Sequence, residues 1–183
     1  GMMVTDDADL ARRARYLTTQ AKDDAVEYVH GEVGFNYRLT NVLAAIGVAQ
    51  MERLESHVAD KRATAEFYTK ALSRIPGIRC LEGPEDAFST FWLYSILVDE
   101  KKAGMSSRAL LRYLDGRGIQ TRPLWQPMHL SRAHRGSYAT DCSVAERLNR
   151  EAISLPCSVG IKEEELTRVV KSVLTALSQI VSG

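Results

Sequence analysis

Apolar side chains recur at steps of three and four between residues 40 and 75: Leu43, Ile46, Met51, Leu54, Val58, Ala65, Tyr68, Leu72 and Ile75. That spacing gathers them on one face of a helix. Thr40 or Asn41 supplies the cap and Pro76-Gly77 the stop. The pattern predicts one helix of roughly 50 Å, at about 1.5 Å per residue, able to bridge two domains or to bend near Gly47. A shorter helix is predicted over residues 8–18, capped by Asp6 or Asp7, with Leu10, Ala14 and Leu17 on one face. Met2-Met3-Val4-Thr5 before it reads as a short strand, which needs partners to form a sheet. Residues 19–38 carry no period and mix charge, glycine and aromatic side chains, as functional or mobile segments do.

Beyond Pro76 the elements shorten. Residues 78–81 and 91–98 read as strands around a Gly-Pro loop. Ser106 caps a helix running to Leu114, and residues 119–125 form a strand cut short by Pro123 and Pro127. A helix over 144–152, a strand over 153–155 and an amphipathic helix over 163–180 complete the chain. This part is an α+β domain, a small antiparallel sheet covered by helices.

Composition narrows the function. The 183 residues are 45% apolar and 26% charged, ordinary for a globular protein with a real core. A net charge of +1 argues against electrostatic binding of nucleic acid. Arg12, Arg13 and Arg15 on the first helix then read as a solvated face. Cys80, Cys142 and Cys157 are far apart and odd in number, and neither Cys-x-x-Cys nor His-Glu-x-x-His occurs. No metal site is expected, and a reducing, cytoplasmic setting is the default. No apolar run approaches the ~18 residues of a membrane span, and no signal peptide is evident. Gly1 before two methionines reads as an added residue.

Two stretches carry candidate chemistry. In Gly34-Phe35-Asn36-Tyr37-Arg38-Leu39-Thr40-Asn41, an extended backbone would send Asn36 and Arg38 to the same side. An amide beside a guanidinium suits an anionic oxygen, so this reads as a phosphate-contacting loop. Arg122-Pro123-Leu124-Trp125-Gln126-Pro127-Met128-His129 combines a charge, a flat stacking surface and a titratable donor on a loop stiffened by two prolines. It suits a nucleotide or sugar ligand, but a Pro-rich corner that buries its Trp in the core fits equally well. His30 reads as a hairpin or surface residue rather than a catalytic one. His57 and His134 read as surface and loop residues. Serine and cysteine nucleophile motifs are absent.

Taken in order, these pieces resemble the sugar-nucleotide aminotransferases of the DegT–DnrJ–StrS family, pyridoxal-phosphate enzymes of the aspartate-aminotransferase fold (fold type I). The resemblance rests on residues 1–7, on the Gly34–Asn41 stretch, and on Ala44-Ala45-Ile46-Gly47-Val48-Ala49-Gln50-Met51. It rests also on residues 122–129, and on Leu155-Pro156 before a glycine and an acidic helix start. Thr19-Gln20-Ala21-Lys22, with the 122–129 segment, resembles the branch that makes 4-amino-4,6-dideoxy sugars in bacillosamine- and legionaminic-type pathways. The resemblance implies that Asn36 reaches the cofactor phosphate of a neighbouring subunit, with Arg38 and Tyr37 near the substrate at the same shared site. It implies that Arg122, Trp125 and His129 line a nucleotide-sugar pocket.

The resemblance covers roughly the C-terminal half of such an enzyme. Residues 1–38 would be a remnant of the large domain plus an interface loop, 39–76 a long connecting helix, and 77–183 the small α+β domain. The family's Schiff-base lysine, the aspartate that pairs with the pyridinium nitrogen and the aromatic that stacks on the ring all match positions before residue 1. Lys22 does not replace that lysine. The expectation is a fragment or truncated aminotransferase, inactive and without bound pyridoxal phosphate when alone, and forming a homodimer or higher oligomer. The alternative is a standalone, non-catalytic relative that binds a nucleotide sugar or a partner protein. A transcriptional regulator is disfavoured by the lack of a basic patch.

Overall fold

Asp7 starts the first helix by local chemistry: its carboxylate accepts the backbone N–H groups of Asp9 and Leu10, and α1 then spans Ala8–Thr18. The computed structural model describes residues 2–24, 26–83 and 86–178. The chain divides into two compact units, Gly1–Arg53 and Leu54–Gly183. In the first, residues 2–5 are not a strand. Met2, Met3 and Val4 are exposed, because no neighbouring strand among the described residues takes up their backbone groups.

After α1 the chain turns out and returns. Isolated bridges pair Thr19 with Asn36 and Lys22 with His30. Phe35 N–H donates to the Leu17 carbonyl at 2.7 Å, and Tyr37 N–H to that of Thr18 at 3.0 Å. The turn is strained, with positive φ at Gln20 (72°), Ala21 (49°) and Tyr28 (56°), a conformation costly for residues with a Cβ. Gly34 is needed where the strands meet: a Cβ there would lie 2.4 Å from Ala21 N and from the Gln20 carbonyl carbon.

The long helical stretch is two helices. Thr40 caps α2 (Asn41–Glu52) through Leu43 N–H, and α3 spans Leu54–Leu72. The backbone leaves helical geometry at Arg53 (φ −107°, ψ 1°), not at Gly47. Arg53 N–H bonds back to the Gln50 carbonyl, the tightened last turn that ends many helices. No proline or glycine marks this break, so apolar spacing runs straight across it.

The second unit holds a four-stranded antiparallel sheet, β1 (Ile78–Cys80), β2 (Tyr94–Val98), β3 (Arg122–Pro123) and β4 (Ala152–Leu155), in the order β1-β2-β4-β3. Every residue of β2 and β4 is buried. That burial explains why both strands are mostly apolar without a polar face, each interrupted by one serine. Ser95 and Ser154, paired across these strands, bond through their hydroxyls at 2.8 Å. Four helices follow α3: α4 (Glu100–Ala103), α5 (Ser107–Asp115), α6 (Ser143–Glu151) and α7 (Glu163–Ser178). Tyr68 and Leu72 of α3, Leu110 and Leu114 of α5, and Val169 and Val173 of α7 join the sheet in one core.

Short 3-10 turns at Met128–Leu130 and Arg132–His134 and the single turn of α4 were not legible from periodicity. The strand expected from residue 91 begins only at Tyr94, after a positive φ of 47° at Phe91. The end of the helix expected to reach residue 180 lies outside the described residues.

Candidate functional site

The Pro-rich loop after β3 is held by α6. Asn149, one helical turn after Glu146, donates its amide to the carbonyls of Leu124 (2.6 Å) and Trp125 (3.1 Å). Glu146 meets His129 Nε2 at 2.8 Å. These two side chains share a face of α6 and fix both ends of the loop. Trp125 is therefore not a core residue. It is 68% exposed, as is Trp92, and the two indoles stack with centroids 6.1 Å apart and planes 14° from parallel.

Behind the indoles lies a cleft of about 680 Å³, lined by Lys61, Trp92, Gln120, Arg122, Trp125 and Cys157 among others. Lys61 reaches it from α3. Its ammonium donates to the Trp92 carbonyl at 2.9 Å and lies 3.7 Å from Cys157 Sγ. No aspartate or glutamate lines this cleft. Among the described residues neither Lys61 nor Arg122 has a carboxylate partner. Two uncompensated cations beside a flat aromatic surface can hold an anionic ligand that carries a planar group. Tyr68, buried beneath, donates its hydroxyl to the Pro156 carbonyl at 2.8 Å and so anchors the turn that carries Cys157. Burial pushes the Tyr68 phenol well above its usual range.

Sequence reasoning placed Arg122, Trp125 and His129 together. The first two share this cleft, whereas His129 turns to Glu146 and does not line it. A larger groove of about 1070 Å³ also runs along α3, and none of the candidate residues lines it.

In the first unit, Phe35 and Tyr37 stack at 5.2 Å, as expected for alternate residues of an extended segment, so Asn36 and Arg38 take the other side. Both are exposed. Only Arg38 lines the neighbouring cleft, with Thr5, Leu10, Arg15, Thr18 and Thr19 among its walls. Lys22 sits over the Tyr28 ring at 4.3 Å, and His30 Nδ1 lies 2.7 Å from the Gln20 carbonyl oxygen; both brace the strained turn. Among the described residues no cluster of His, Cys, Asp or Glu could hold a metal ion, and no helix is long and apolar enough to cross a membrane.

Lys61, Trp92 and Cys157 escaped sequence reasoning. A signal existed for the first. Val58, Ala65, Tyr68 and Leu72 form the inward stripe of α3, and Lys61 occupies the step between Val58 and Ala65, where an apolar residue would continue it. Trp92 sits in the run Phe91-Trp92-Leu93, which has no alternation to show which side chain faces out.

Residues 1–174 match the DegT/DnrJ/EryC1/StrS aminotransferase family. GDP-perosamine synthase of Caulobacter vibrioides is 35% identical over 185 residues, which take in 98% of this chain and 47% of that protein. Among solved structures, the aminotransferase TlmJ from Streptoalloteichus hindustanus superposes with a TM-score of 0.84 at 28% identity, covering 96% of this chain and 47% of that one. DesV of S. venezuelae, solved in complex with a ketimine intermediate, gives 0.78 at 28% identity, with 95% and 46% covered. The chain thus spans about half the length of the relatives it matches. Pyridoxal phosphate is the cofactor of this family, and the mixed helix-and-sheet fold is that of its solved members. With the match running through both units, the chain belongs to the DegT/DnrJ/EryC1/StrS aminotransferase family.

Proposed function

We propose that this chain is the C-terminal portion of a pyridoxal-phosphate-dependent aminotransferase. Its substrate would be a 4-keto-6-deoxy sugar nucleotide, in the making of a bacterial surface polysaccharide or glycan. The observation that carries the substrate class is the cleft of Trp92 and Trp125, with its unpaired Lys61 and Arg122 and no carboxylate. A sugar nucleotide combines a planar base with a diphosphate, and this lining suits both. Arg122 and Trp125 are the substrate contacts in this reading. His129 acts at one remove, by holding the loop to Glu146.

The other half of the reading concerns the cofactor. Pyridoxal phosphate, when bound, supplies the electron sink for moving an amino group. The Asn36 amide and the Arg38 guanidinium are exposed donors with no side-chain partner among the described residues, which fits an anionic phosphate or a substrate oxygen. Tyr37 lies beside them, stacked on Phe35. No lysine lines the Arg38 cleft, so these residues offer hydrogen bonds but no amine for covalent attachment. In this reading Asn36 serves a cofactor held by a neighbouring subunit, and the chain alone does not transaminate.

Helix α2 supports an assembled state. Val42, Leu43, Ile46, Val48 and Met51 are all exposed, and a helix apolar on every side is normally covered. A homodimer or higher oligomer in the cytoplasm is the reading, and light scattering at micromolar concentration tests it; a monomeric mass would contradict it.

The functional test is direct. Pyridoxal phosphate and glutamate are added to the chain, followed by borohydride reduction and peptide mass analysis. The expected result is no stoichiometric pyridoxyl lysine and no amino transfer, with sugar nucleotides still binding by calorimetry. Fixation on a single lysine with turnover would overturn the inactivity. Absence of any sugar-nucleotide binding would remove the substrate class.

A further inference from the structure

Among the described residues, Cys157 is the thiol that a lysine contacts. Lys61 Nζ lies 3.7 Å from Cys157 Sγ, and both side chains line the cleft behind the indoles. We propose that Cys157 and Lys61 form an oxidative modification site: a hydroperoxide oxidises the thiol, and the lysine amine closes on it as a covalent sulfur–nitrogen cross-link. The proposal concerns these two side chains and does not depend on which ligand the cleft takes.

A single carbonyl organises the pair. The Trp92 oxygen accepts from Lys61 Nζ at 2.9 Å and from Cys157 Sγ at 3.6 Å. The thiol proton is therefore directed at that oxygen, and a sulfur lone pair accepts from the ammonium. Each partner is held by its own element. Lys61 projects from α3, and the Tyr68 hydroxyl fixes the Pro156 carbonyl, next to Cys157, at 2.8 Å. No aspartate or glutamate lines the cleft, so no carboxylate draws the lysine away from the sulfur. Its flexible four-carbon stem lets Nζ close the remaining gap.

Access distinguishes Cys157 from an inert core thiol. The residue is only 7% exposed, but it faces a cleft of about 680 Å³, ample for a peroxide molecule. Cys80 and Cys142 are also free and less buried, and neither has a lysine partner among the described residues. They are internal controls. A sulfenic acid with no nucleophile in reach is open to further oxidation to sulfinic acid, whereas one beside a nitrogen can condense with it.

The chemistry balances in two steps. In the first, Sγ attacks one peroxide oxygen and the O–O bond breaks. The departing oxygen takes up the thiol proton, so Cys157 is oxidised to the sulfenic acid and hydrogen peroxide is reduced to water. In the second, Lys61 gives one proton to solvent and its lone pair attacks Sγ. The S–O bond breaks, and the hydroxide leaves as water with a second proton from nitrogen. No further oxidant is consumed. The product ties α3 to the turn after β4 and removes the ammonium charge from the cleft. A dithiol reverses it by reducing the S–N bond and becoming a disulfide.

The experiment treats the reduced full chain with hydrogen peroxide, digests it with trypsin and reads peptide masses. The expected product joins residues 54–62 to residues 151–162, uncut after Lys61, at the summed peptide mass less two hydrogens. Dithiothreitol should release both peptides and restore the cut. Cys157→Ser should abolish the product, while Cys80→Ser and Cys142→Ser leave its yield unchanged. Lys61→Arg keeps a cation for the Trp92 carbonyl but removes the amine. In that variant dimedone should label Cys157 as its sulfenic acid, and in the parent this label should be lost to the cross-link.

Sulfinic acid at Cys157 with Lys61 still cut would overturn the proposal. So would equal dimedone labelling of Cys157 in the parent and in Lys61→Arg, or oxidation confined to Cys80 and Cys142. If Lys61→Arg does not fold, as judged by circular dichroism, the digest of the parent chain decides alone: without the joined peptides the site is refuted.

Discussion

Asn149→Ala separates the stability of the second unit from the assembly of its cleft. The side chain donates to two carbonyls, Leu124 at 2.6 Å and Trp125 at 3.1 Å. A neutral hydrogen bond contributes about 0.5–1.5 kcal/mol net. The Leu124 contact is partly buried and sits near the top of that range. The Trp125 carbonyl can turn to water, so its bond sits near the bottom. The expected loss is ~1–2 kcal/mol in urea unfolding. The larger effect is on geometry: two nearly parallel indoles in contact couple their transitions and give a paired near-ultraviolet dichroism signal. Releasing the Trp125 backbone should collapse that signal while the fold persists. Ser107→Ala is the matched control. It removes a buried hydroxyl that donates to the Arg150 carbonyl, at a similar cost of ~1–2 kcal/mol, and should leave the indole signal intact. If Asn149→Ala loses stability and keeps the signal, Pro123 and Pro127 alone position Trp125, and α6 has no part in orienting the indole.

Three further outcomes are expected. Gly34→Ala should destabilise the turn after α1 by ~1–3 kcal/mol, since its Cβ would lie 2.4 Å from backbone atoms of Gln20 and Ala21; faster hydrogen exchange at Phe35 and Tyr37 would show it, and unchanged protection would refute the clash. Tyr68→Phe should cost about 1–2 kcal/mol by leaving the Pro156 carbonyl without its donor, as read from thermal melting. The phenols of Tyr68 and Tyr94 are both raised, chiefly by burial. They stay protonated in the folded state while their unfolded counterparts ionise near pH 10. The unfolded state then binds fewer protons, so stability is full below about pH 10 and falls as pH rises above it. Urea titrations from pH 9 to 11 should show that fall, and Tyr68→Phe should make it shallower.

Much of the fold was legible because local chemistry agrees with it. Ser106 caps the helix it was expected to cap, and of the alternatives Asp6 or Asp7 and Thr40 or Asn41 the caps are Asp7 and Thr40. The strands at residues 78–80, 94–98 and 152–155 fall within or beside the apolar runs that predicted them. The failures are equally physical. The helix break at Arg53 is made by backbone geometry with no glycine or proline to mark it. The short N-terminal strand has the composition of a strand, but a strand is defined by a partner, and composition cannot supply one.

The site was legible in one half only. Residues 122–129 announce themselves because charge, stacking surface and stiff backbone are adjacent in sequence. The reading there still left Trp125 free to be a core residue. What decides the matter is α6: Asn149 takes the backbone oxygens of Leu124 and Trp125, and a loop whose carbonyls are held from one side turns its indole to the other. Lys61 is harder, being 61 residues from Arg122 in the chain. It lay within the periodic pattern as an interruption, at a step of the inward stripe between Val58 and Ala65. A charge at such a position is costly unless something meets it. The Trp92 carbonyl and Cys157 meet two of its donors, and the side chain lines the cleft. A lysine on the apolar stripe of a helix is therefore a place to look for a ligand, because the fold that tolerates it has left one donor without a partner.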